Sequence, residues 1–340
     1  MRDVVKLSNL FIIYQLCLVS VIANTVWQTN WCKEDEKLKS CWTEMQKYYK
    51  QVAYLSGSLT KDGLITQTYR DNINAMHTLI NNAPRKDFLT NSCLSGIMVR
   101  NGWPENCNYE ECFLKNCITK TTANKIKNFT SSTSNNDQLF LSTTSKNFNC
   151  STSTLGHLFY VGKLYDWMPE EPKLIVELGG GYGNLARCFK SVSPDATIVV
   201  IDLPEMCAIQ LMFLKYTLPN VKIIAHTAAP KQIDPGTINL IPVQFMENID
   251  YLKCDAFVST FAISEAPEKV QKQIAKLNFF NAKSIYLAGQ IDGWSKLGFK
   301  DWVHHDVLIT SVKNNYKQIY CAPFHIYNPK YESYELLAKN

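Results

Sequence analysis

The segment LIVELGGGYGNLARCF, from Leu174 to Phe189, indicates the fold class of this 340-residue chain. The apolar run LIVEL has the composition of a buried strand, and four glycines follow it within five positions. The residues from Asn184 onward have the composition of a helix. Glycines at this density remove side chains from a turn, so that a ligand or another stretch of backbone can come close.

Strand-like and helix-like segments alternate on both sides of this turn, from Leu155 to the C-terminus. The predicted strands are KLIVEL, ATIVVIDL, VKIIAHT, CDAFVSTFAI and AKSIYLAGQ, with two closing strands in YKQIYCAPFHIY and YESYELLAK. The predicted helices are GHLFYVGKLYDWM, NLARCFKSV, EMCAIQLMFLKYTL and PEKVQKQIAKLNFF. Strands rich in Ile and Val that alternate with helices predict a doubly wound α/β fold, in which helices cover both faces of a mostly parallel sheet.

The first half of the chain has a different composition. Helices are predicted over Lys33–Leu55 and Thr66–Asn81, and short disulfide-linked loops over Asn91–Cys117, so that residues 24–129 form a helical, cysteine-rich region. Residues 130–154 are rich in Ser, Thr and Asn, which is typical of a linker or surface loop that buries little apolar surface. The predicted α/β domain then occupies residues 155–340.

The N-terminus has the pattern of a signal peptide over residues 1–23. Arg2 and Lys6 precede an apolar run of 14 residues from Leu10 to Ala23, which ends in the medium and small residues Val21, Ile22 and Ala23. A membrane-spanning helix needs roughly 20 apolar residues, so cleavage is favoured over an uncleaved anchor, which remains the alternative. We therefore expect the lumen of the secretory pathway (Golgi or endoplasmic reticulum) or secretion, without stable membrane insertion unless the segment is an anchor.

The cysteine content agrees with an oxidising compartment. Of the 12 cysteines, seven lie between the signal segment and residue 151, where disulfides are expected: Cys32, Cys41, Cys93, Cys107, Cys112, Cys117 and Cys150. Their spacing leaves the connectivity open and does not match a zinc site, so no metal is predicted. Asn128 and Asn149 begin sequons for N-glycosylation. The formal charge of +5 without any block of like charges argues against a nucleic-acid partner.

Two kinds of ligand compete for the glycine-rich turn. A dinucleotide motif, GxGxxG, would need a third glycine where this chain has Asn184. The spacing is instead E-x-G-x-G-x-G, from Glu177 to Gly183. A carboxylate directly before the turn would repel a pyrophosphate and suits a cationic ligand. A tight turn with no ligand is the remaining alternative.

This motif resembles the first motif of the class I S-adenosylmethionine-dependent methyltransferases. Asp202, 19 residues after Gly183, stands where that group has an acid that binds the ribose hydroxyls. Three segments, VELGGGYGNLARCF, VVIDLPEMCAIQLMFLKYTLPNV and DAFVSTFAISEAPEKVQ, resemble the sugar O-methyltransferase family over about residues 155–335. The chain departs from that family at STFAISEAP, where Ser259 and Ala266 replace the expected asparagine and methionine.

The resemblance implies S-adenosylmethionine as the cofactor and a Rossmann-like methyltransferase domain. Its cofactor-binding residues would be Glu177, Gly179, Gly180, Gly181, Gly183 and Asp202. For Asp202, a role as the N-cap of the helix that begins near Pro204 is the alternative.

Methyl transfer to a hydroxyl group requires that a proton be removed, so a general base is expected. The candidate bases are His304 and His305 in DWVHHD, and Glu265 after the fourth strand. Ser264, Asp292 and Trp294 are candidates for acceptor binding, since they follow predicted strands and Trp294 offers a face for stacking on a sugar ring. Glu265 has a second interpretation as an acid that stabilises the start of the next helix.

These features predict an O-methyltransferase that acts on a glycan or saccharide hydroxyl. A non-sugar acceptor and a secreted binding protein without turnover are the alternatives. The oligomeric state and the role of residues 24–154 are left open by the sequence.

Overall fold

The computed structural model describes residues 35–59, 61–65, 67–82, 119–132, 150–290, 306–324 and 333–340. Its helices are α1 Glu36–Ser56, α2 Gln67–Asn81, α3 Lys120–Ser132, α4 Thr152–Trp167, α5 Asn184–Val192, α6 Pro204–Thr217, α7 Ala262–Glu265, α8 Glu268–Lys276 and α9 Asp306–Asn315. Its strands are β1 Leu174–Leu178, β2 Thr197–Asp202, β3 Ile223–Ala225, β4 Ile238–Pro242, β5 Ala256–Thr260, β6 Ser284–Gln290, β7 Gln318–Pro323 and β8 Ser333–Lys339. A 3₁₀ helix, Val243–Ile249, follows β4.

The eight strands form one sheet in the order β3-β4-β2-β1-β5-β6-β8-β7. Neighbours from β3 to β6 pair in parallel, and β8 pairs antiparallel with both β6 and β7. The chain moves outward from β1 to β2 and later returns to the other side of β1 as β5. This reversal makes a topological switch point, and ligands of such sheets bind beyond the carboxyl ends of the strands there. The predicted doubly wound, mostly parallel sheet is confirmed.

Apolar side chains alternate between the two faces of the central strands, so each face has its own core. On β1 and β2, Ile175, Ile198 and Val200 join the core formed with α4, α5 and α6. Val176 and Val199 point to the opposite core, which includes residues of α8 and α9. Strands buried on both faces need apolar residues at successive positions, which explains the continuous runs seen in the sequence.

Helices α1 and α2 belong to the same folded body as the sheet. Apolar residues of α1, such as Trp42 and Val52, are buried in the core that also contains α6. A polar link adds to this contact, because Tyr216 Oη of α6 donates to Asp35 Oδ2 at 2.9 Å. The predicted start of the α/β domain at residue 155 stays a prediction, and residues of α1 and α2 share a core with α6.

Several sequence-based boundaries also differ from the structure. The predicted linker 130–154 is helical at both ends, since α3 extends to Ser132 and α4 begins at Thr152 after an N-cap at Ser151. Strand β4, INLIP, was not predicted, because Asn239 and Pro242 interrupt its apolar pattern. The two long N-terminal helices and both closing strands are confirmed.

Other predictions lie outside the described residues. These are the signal segment 1–23, the loops at Asn91–Cys117, the sequon at Asn149, and the candidates Asp292, Trp294, His304 and His305. Cys41 is free and buried, so the disulfide expected for it is corrected. The disulfides expected at Cys32, Cys93, Cys107, Cys112 and Cys117 lie outside the described residues and stay a prediction. In the described part of the chain, no helix combines the length and apolarity that crossing a bilayer requires.

Candidate functional site

An open crevice of about 550 Å³ lies at the carboxyl ends of the central strands. Leu178 and Gly179 line it from β1, Ile201, Asp202 and Leu203 from β2, and Val243 from the end of β4. The residues after β5 form the opposite wall, with Ala262, Glu265, Ala266, Pro267 and Val270. The crevice therefore occupies the switch point of the sheet.

Gly179 of the glycine-rich turn lines this crevice, and three glycines of the turn have a structural explanation. A Cβ on Gly179 would lie 1.9 Å from the Ala262 Cβ atom, and one on Gly180 would lie 2.4 Å from Val200 Cγ1. Gly183 is the N-cap of α5, with a φ of 96°. These three glycines allow the turn to pack tightly against β2, α6 and α7.

Gly181 is different, because nothing in the described part of the chain would contact a Cβ there within 4 Å. Its φ is 55°, in the left-handed region that glycine adopts at little cost. Packing against the protein thus does not explain this glycine. Open space above the bare backbone is what a ligand would need for close approach.

Asp202 lies at the carboxyl end of β2 and lines the crevice, half-buried. Its Oδ1 accepts from the backbone N–H of Leu203 at 2.8 Å, and its Oδ2 accepts from Gln210 Nε2 at 2.8 Å. The N-cap of α6 is Leu203, so the N-cap interpretation of Asp202 is wrong. Burial raises the pKa of Asp202 to about 7, although hydrogen bonds from Leu203, Gln210 and the N–H groups of Gly181 and Gly180 oppose that rise.

Glu177 lies beneath the glycine-rich turn and does not line the crevice. It is 1% exposed, and its Oε2 has no hydrogen-bond partner among the described residues. Burial and, second, the nearby Asp202 carboxylate raise the pKa of Glu177 to about 8. A contact between Glu177 and a cofactor stays a prediction, since Glu177 is not among the described residues that line the crevice. With pKa values near 8 and 7, Glu177 behind the turn and Asp202 in the crevice both carry a negative charge only above about pH 8.

The two candidate site residues after β5, Ser264 and Glu265, have different positions in the structure. Glu265 lines the crevice, as predicted for a candidate base or acceptor contact. Ser264 is 1% exposed, and its hydroxyl donates to the Phe261 carbonyl at 2.6 Å. The expectation that Ser264 lies at the rim is corrected, because this hydroxyl is used to stabilise the bend after β5.

The N-terminal segment supplies a wall of the crevice that the sequence did not indicate. Leu64 and Ile65, in the loop between α1 and α2, line it opposite the strand ends. The loop is tied to α8, because Lys269 Nζ donates to the carbonyl of Asp62 at 2.6 Å. No local pattern distinguishes these two apolar residues from core residues, so only the tertiary structure could identify them.

Gln210 is a second site residue that sequence analysis missed. It lies on α6 with 0% of its surface exposed, and it contacts both the glycine-rich turn and Asp202. The available signal was its isolation as an uncharged polar residue within the apolar run CAIQLMFL. In the part of the chain that the structure describes, no group of three or more His, Cys, Asp or Glu side chains is arranged to hold a metal ion.

No protein-family model matches this chain. No curated protein is similar to it in sequence.

The solved structures with similarity to the chain include several methyltransferases. Magnesium protoporphyrin IX methyltransferase from Synechocystis PCC 6803, with bound S-adenosylmethionine, has a TM-score of 0.34 and 13% identity over 49% of this chain and 70% of that one. Human N-acetylserotonin methyltransferase, in complex with S-adenosylmethionine, has a TM-score of 0.32 and 12% identity over 55% and 56%. Phosphoethanolamine N-methyltransferase 2 from Haemonchus contortus, in complex with phosphomonomethylethanolamine and S-adenosylhomocysteine, has a TM-score of 0.39 and 9% identity over 53% and 52%.

At these TM-scores the similarities establish neither the fold nor the function of this chain. The strand order establishes the fold class, and the crevice establishes where a ligand has room. The chain thus has a doubly wound α/β fold whose glycine-rich turn and strand-end aspartate meet in one crevice at the switch point of the sheet.

Proposed function

We propose that this chain is an S-adenosylmethionine-dependent methyltransferase. The observation that carries the proposal is the meeting of Gly179 and Asp202 in one crevice at the switch point. The two sequence motifs that resemble a methyltransferase lie 23 positions apart (Gly179 to Asp202), yet the fold places them at adjacent strand ends. This is the arrangement that a donor with a ribose and a charged group requires.

The residues of the crevice fit such a donor. Asp202 would accept hydrogen bonds from the ribose hydroxyls, and the bare backbone at Gly181 would admit the donor closely. Leu203 and Val243 offer apolar contacts for the adenine ring of the donor. The bound cofactor would supply a methyl group on a positively charged sulfur. Once ionised, Asp202 in the crevice and Glu177 behind the turn would favour that positive charge.

For the acceptor we propose a sugar hydroxyl, on the basis of the three-segment resemblance to the sugar O-methyltransferase family. Glu265 is the candidate for removing the hydroxyl proton, because it lines the crevice wall opposite β2. His304 and His305 remain further candidates from the sequence. Asp292 and Trp294 remain candidates for contacts to the sugar.

One observation favours a non-sugar acceptor as a second candidate. Among the described residues that line the crevice, all but Asp202 and Glu265 are glycine, proline or apolar residues, including Leu64, Ile65 and Val270. A sugar ring carries many hydroxyl groups that need partners, whereas a phenol or a lipid would use apolar walls well. Acceptor assays therefore have to include both classes.

We propose the secretory pathway as the compartment, on the basis of the signal-like residues 1–23. Expression of the full chain in cultured cells, followed by N-terminal sequencing and glycosidase treatment, tests this. Cleavage near Ala23 and a loss of mass on deglycosylation are expected. An intact N-terminus on a cytosolic, unglycosylated protein would contradict it.

Calorimetric titration of the purified chain with S-adenosylmethionine and S-adenosylhomocysteine tests the cofactor. We expect binding, and we expect Asp202→Asn to weaken it about 10- to 100-fold, since a charge-assisted hydrogen bond contributes about 1.5–3 kcal/mol. Asp234→Asn is the control, because Asp234 pairs with Lys222 on the exposed surface. Equal affinity of the Asp202 variant and the unchanged chain would remove Asp202 from the site.

Transfer of a labelled methyl group to a panel of glycans, free saccharides, phenols and lipids tests the reaction. Label on a sugar hydroxyl supports the acceptor that we propose, and label on a phenol or lipid supports the second candidate. Cofactor binding without transfer to any member of the panel would favour a binding protein.

A further inference from the structure

Gln210 joins the two halves of the candidate cofactor site through a single amide group. Its Nε2 donates to the carbonyl oxygen of Gly181 at 2.9 Å and to Asp202 Oδ2 at 2.8 Å. Gly181 belongs to the turn after β1, and Asp202 ends β2. An amide nitrogen has two hydrogens, so these two bonds use its full donor capacity.

The chemistry of its neighbours fixes the orientation of this amide. A backbone carbonyl and a carboxylate are both acceptors, so the NH₂ group has to face them. Its other atom, Oε1, then has no hydrogen-bond partner among the described residues. A buried acceptor without a partner costs about 1–3 kcal/mol, so the side chain is poorly suited to a purely stabilising role.

The turn also packs directly on this side chain. A Cβ on Gly180 would lie 3.1 Å from Gln210 Nε2, and one on Gly183 would lie 3.4 Å from Gln210 Cγ. Gln210 therefore contacts the turn along its length and holds it against α6. The N–H groups of Gly180 and Gly181 also bond the Asp202 carboxylate, so Gln210 is the one side chain among several groups that set the separation between the turn and Asp202.

We propose that Gln210 is a positioning residue for the cofactor, which holds the Gly181 carbonyl and the Asp202 carboxylate at a fixed separation. This inference rests on the proposed function and extends it to a residue that need not touch the ligand. With the amide in place, the carboxylate points into the crevice while the turn keeps its open backbone at Gly181. Without it, the Gly181 carbonyl and Asp202 Oδ2 each lose a donor, and although backbone N–H groups still hold the carboxylate, the ligand contacts lose part of their preorganisation.

A role in positioning predicts an effect on titration that packing alone does not. Among the described residues, the titratable groups on the elements around Asp202 include Glu177 of β1, Glu205 and Cys207 of α6, Tyr48 of α1, which contacts Cys207, His77 of α2, which contacts Glu205, and Glu265 of α7, which lines the same crevice. The hydrogen bond from Gln210 lowers the pKa of Asp202 against the effect of burial. Loss of the amide should therefore move the pH at which the cofactor begins to bind to a higher value.

The test compares Gln210→Met with the unchanged chain by calorimetric titration with S-adenosylhomocysteine from pH 6 to pH 9. Methionine keeps the length and volume but has no donor. We expect about tenfold or greater weakening at pH 7, the size of one charge-assisted hydrogen bond. The midpoint of the rise in affinity with pH should also lie higher than in the unchanged chain.

Gln46→Met is the matched control. Gln46 also donates its Nε2 to two acceptors, the carbonyls of Ile80 and Asn82, at 2.9 and 3.2 Å, but it does so between α1 and the end of α2, away from the crevice. The affinity of Gln46→Met for S-adenosylhomocysteine, and the pH dependence of that affinity, should match those of the unchanged chain. If Gln210→Met fails to fold, Gln210→Glu keeps a polar head of the same length, and a loss at least as large is expected because a second carboxyl then faces Asp202.

The outcomes separate the two proposals. An unchanged chain that binds neither S-adenosylmethionine nor S-adenosylhomocysteine overturns the proposed function and this inference with it. An unchanged chain that binds, together with a folded Gln210 variant of equal affinity and equal pH profile, overturns this inference alone.

Discussion

At the scale of single residues, the site depends on two acids, Glu177, which is buried, and Asp202, which is half-buried at the crevice. Glu177 is fully covered by the glycine-rich turn, and Asp202 faces it across β1 and β2. Two carboxyl groups this close resist ionising together. A cationic ligand would relieve this repulsion. At high pH the ionised acids therefore destabilise the ligand-free chain and stabilise the ligand-bound chain.

The first prediction concerns the stability of the ligand-free chain against pH. Because the pKa values of Glu177 and Asp202 are raised to about 8 and about 7, the folded chain keeps protons between about pH 4 and pH 8 that the unfolded chain releases. The free energy of unfolding should therefore fall as the pH rises through this window and level off above about pH 8. Urea unfolding of the unchanged chain and of Glu177→Gln measures the effect.

Glu177→Gln should show a smaller fall over the same window, because its side chain no longer titrates. Cofactor affinity should change in the opposite direction and increase with pH, since the ionised acids favour a cation. If the free energy of unfolding fell equally steeply with pH in the two proteins, Glu177 would have an ordinary pKa and the prediction would be wrong.

At the scale of elements, the turn before β6 has an unusual backbone. Four successive residues, Asn278, Phe279, Phe280 and Asn281, have φ values of 47°, 53°, 56° and 51°. Left-handed conformations cost L-residues roughly 1–2 kcal/mol each. Burial offsets this cost, because Phe279 packs edge-on against Phe257 at a centroid distance of 5.4 Å and both phenylalanines of the turn are buried.

The second prediction uses the exposed end of this turn. Asn281→Gly should raise the free energy of unfolding by about 0.5–1 kcal/mol, because glycine adopts this φ without the steric cost. Asn281→Ala should lower it by a similar amount, since alanine tolerates the left-handed region less well than asparagine. Urea unfolding of the unchanged chain, Asn281→Gly and Asn281→Ala gives the order of their free energies of unfolding. Cofactor binding should be unchanged in all three, because the turn lies at the amino end of β6, away from the crevice.

Some elements and site residues could be predicted from the sequence and others could not, for physical reasons. Periodicity and apolar runs identified β1, β2, β5 and β6, since burial on both faces requires such runs. The left-handed turn in LNFFN was not predicted, because its conformation is imposed by packing and its sequence has no glycine. Gly179 and Asp202 could be assigned from a motif, whereas Leu64 and Ile65 reach the crevice only through long-range docking.

At the scale of the whole molecule, one buried carboxylate links the N-terminal helices to the sheet domain. Glu205, in the first turn of α6, is 0% exposed. Its Oε1 accepts from Tyr49 Oη at 3.2 Å and from Ser56 Oγ, both of α1, and contacts His77 Nε2 of α2 at 2.8 Å. Because the loop between α1 and α2 forms a wall of the crevice, this cluster also affects the site.

The third prediction is that Glu205→Ala both destabilises the chain and weakens cofactor binding. The free energy of unfolding should fall by about 3 kcal/mol or more, since three donors lose their acceptor and two of them, Tyr49 Oη and Ser56 Oγ, lie largely away from water. Glu205→Gln should lose less, because its amide oxygen can still accept.

Glu44→Ala is the control. Glu44 also bridges α1 to α6, through Lys215, but this ion pair is exposed to solvent, and its loss should change the free energy of unfolding by no more than about 1 kcal/mol. Urea unfolding gives the stabilities, and titration at a temperature where every variant is folded gives the affinities. If Glu205→Ala were destabilised yet bound the cofactor as well as the Glu44 variant, the N-terminal wall would have no part in the site.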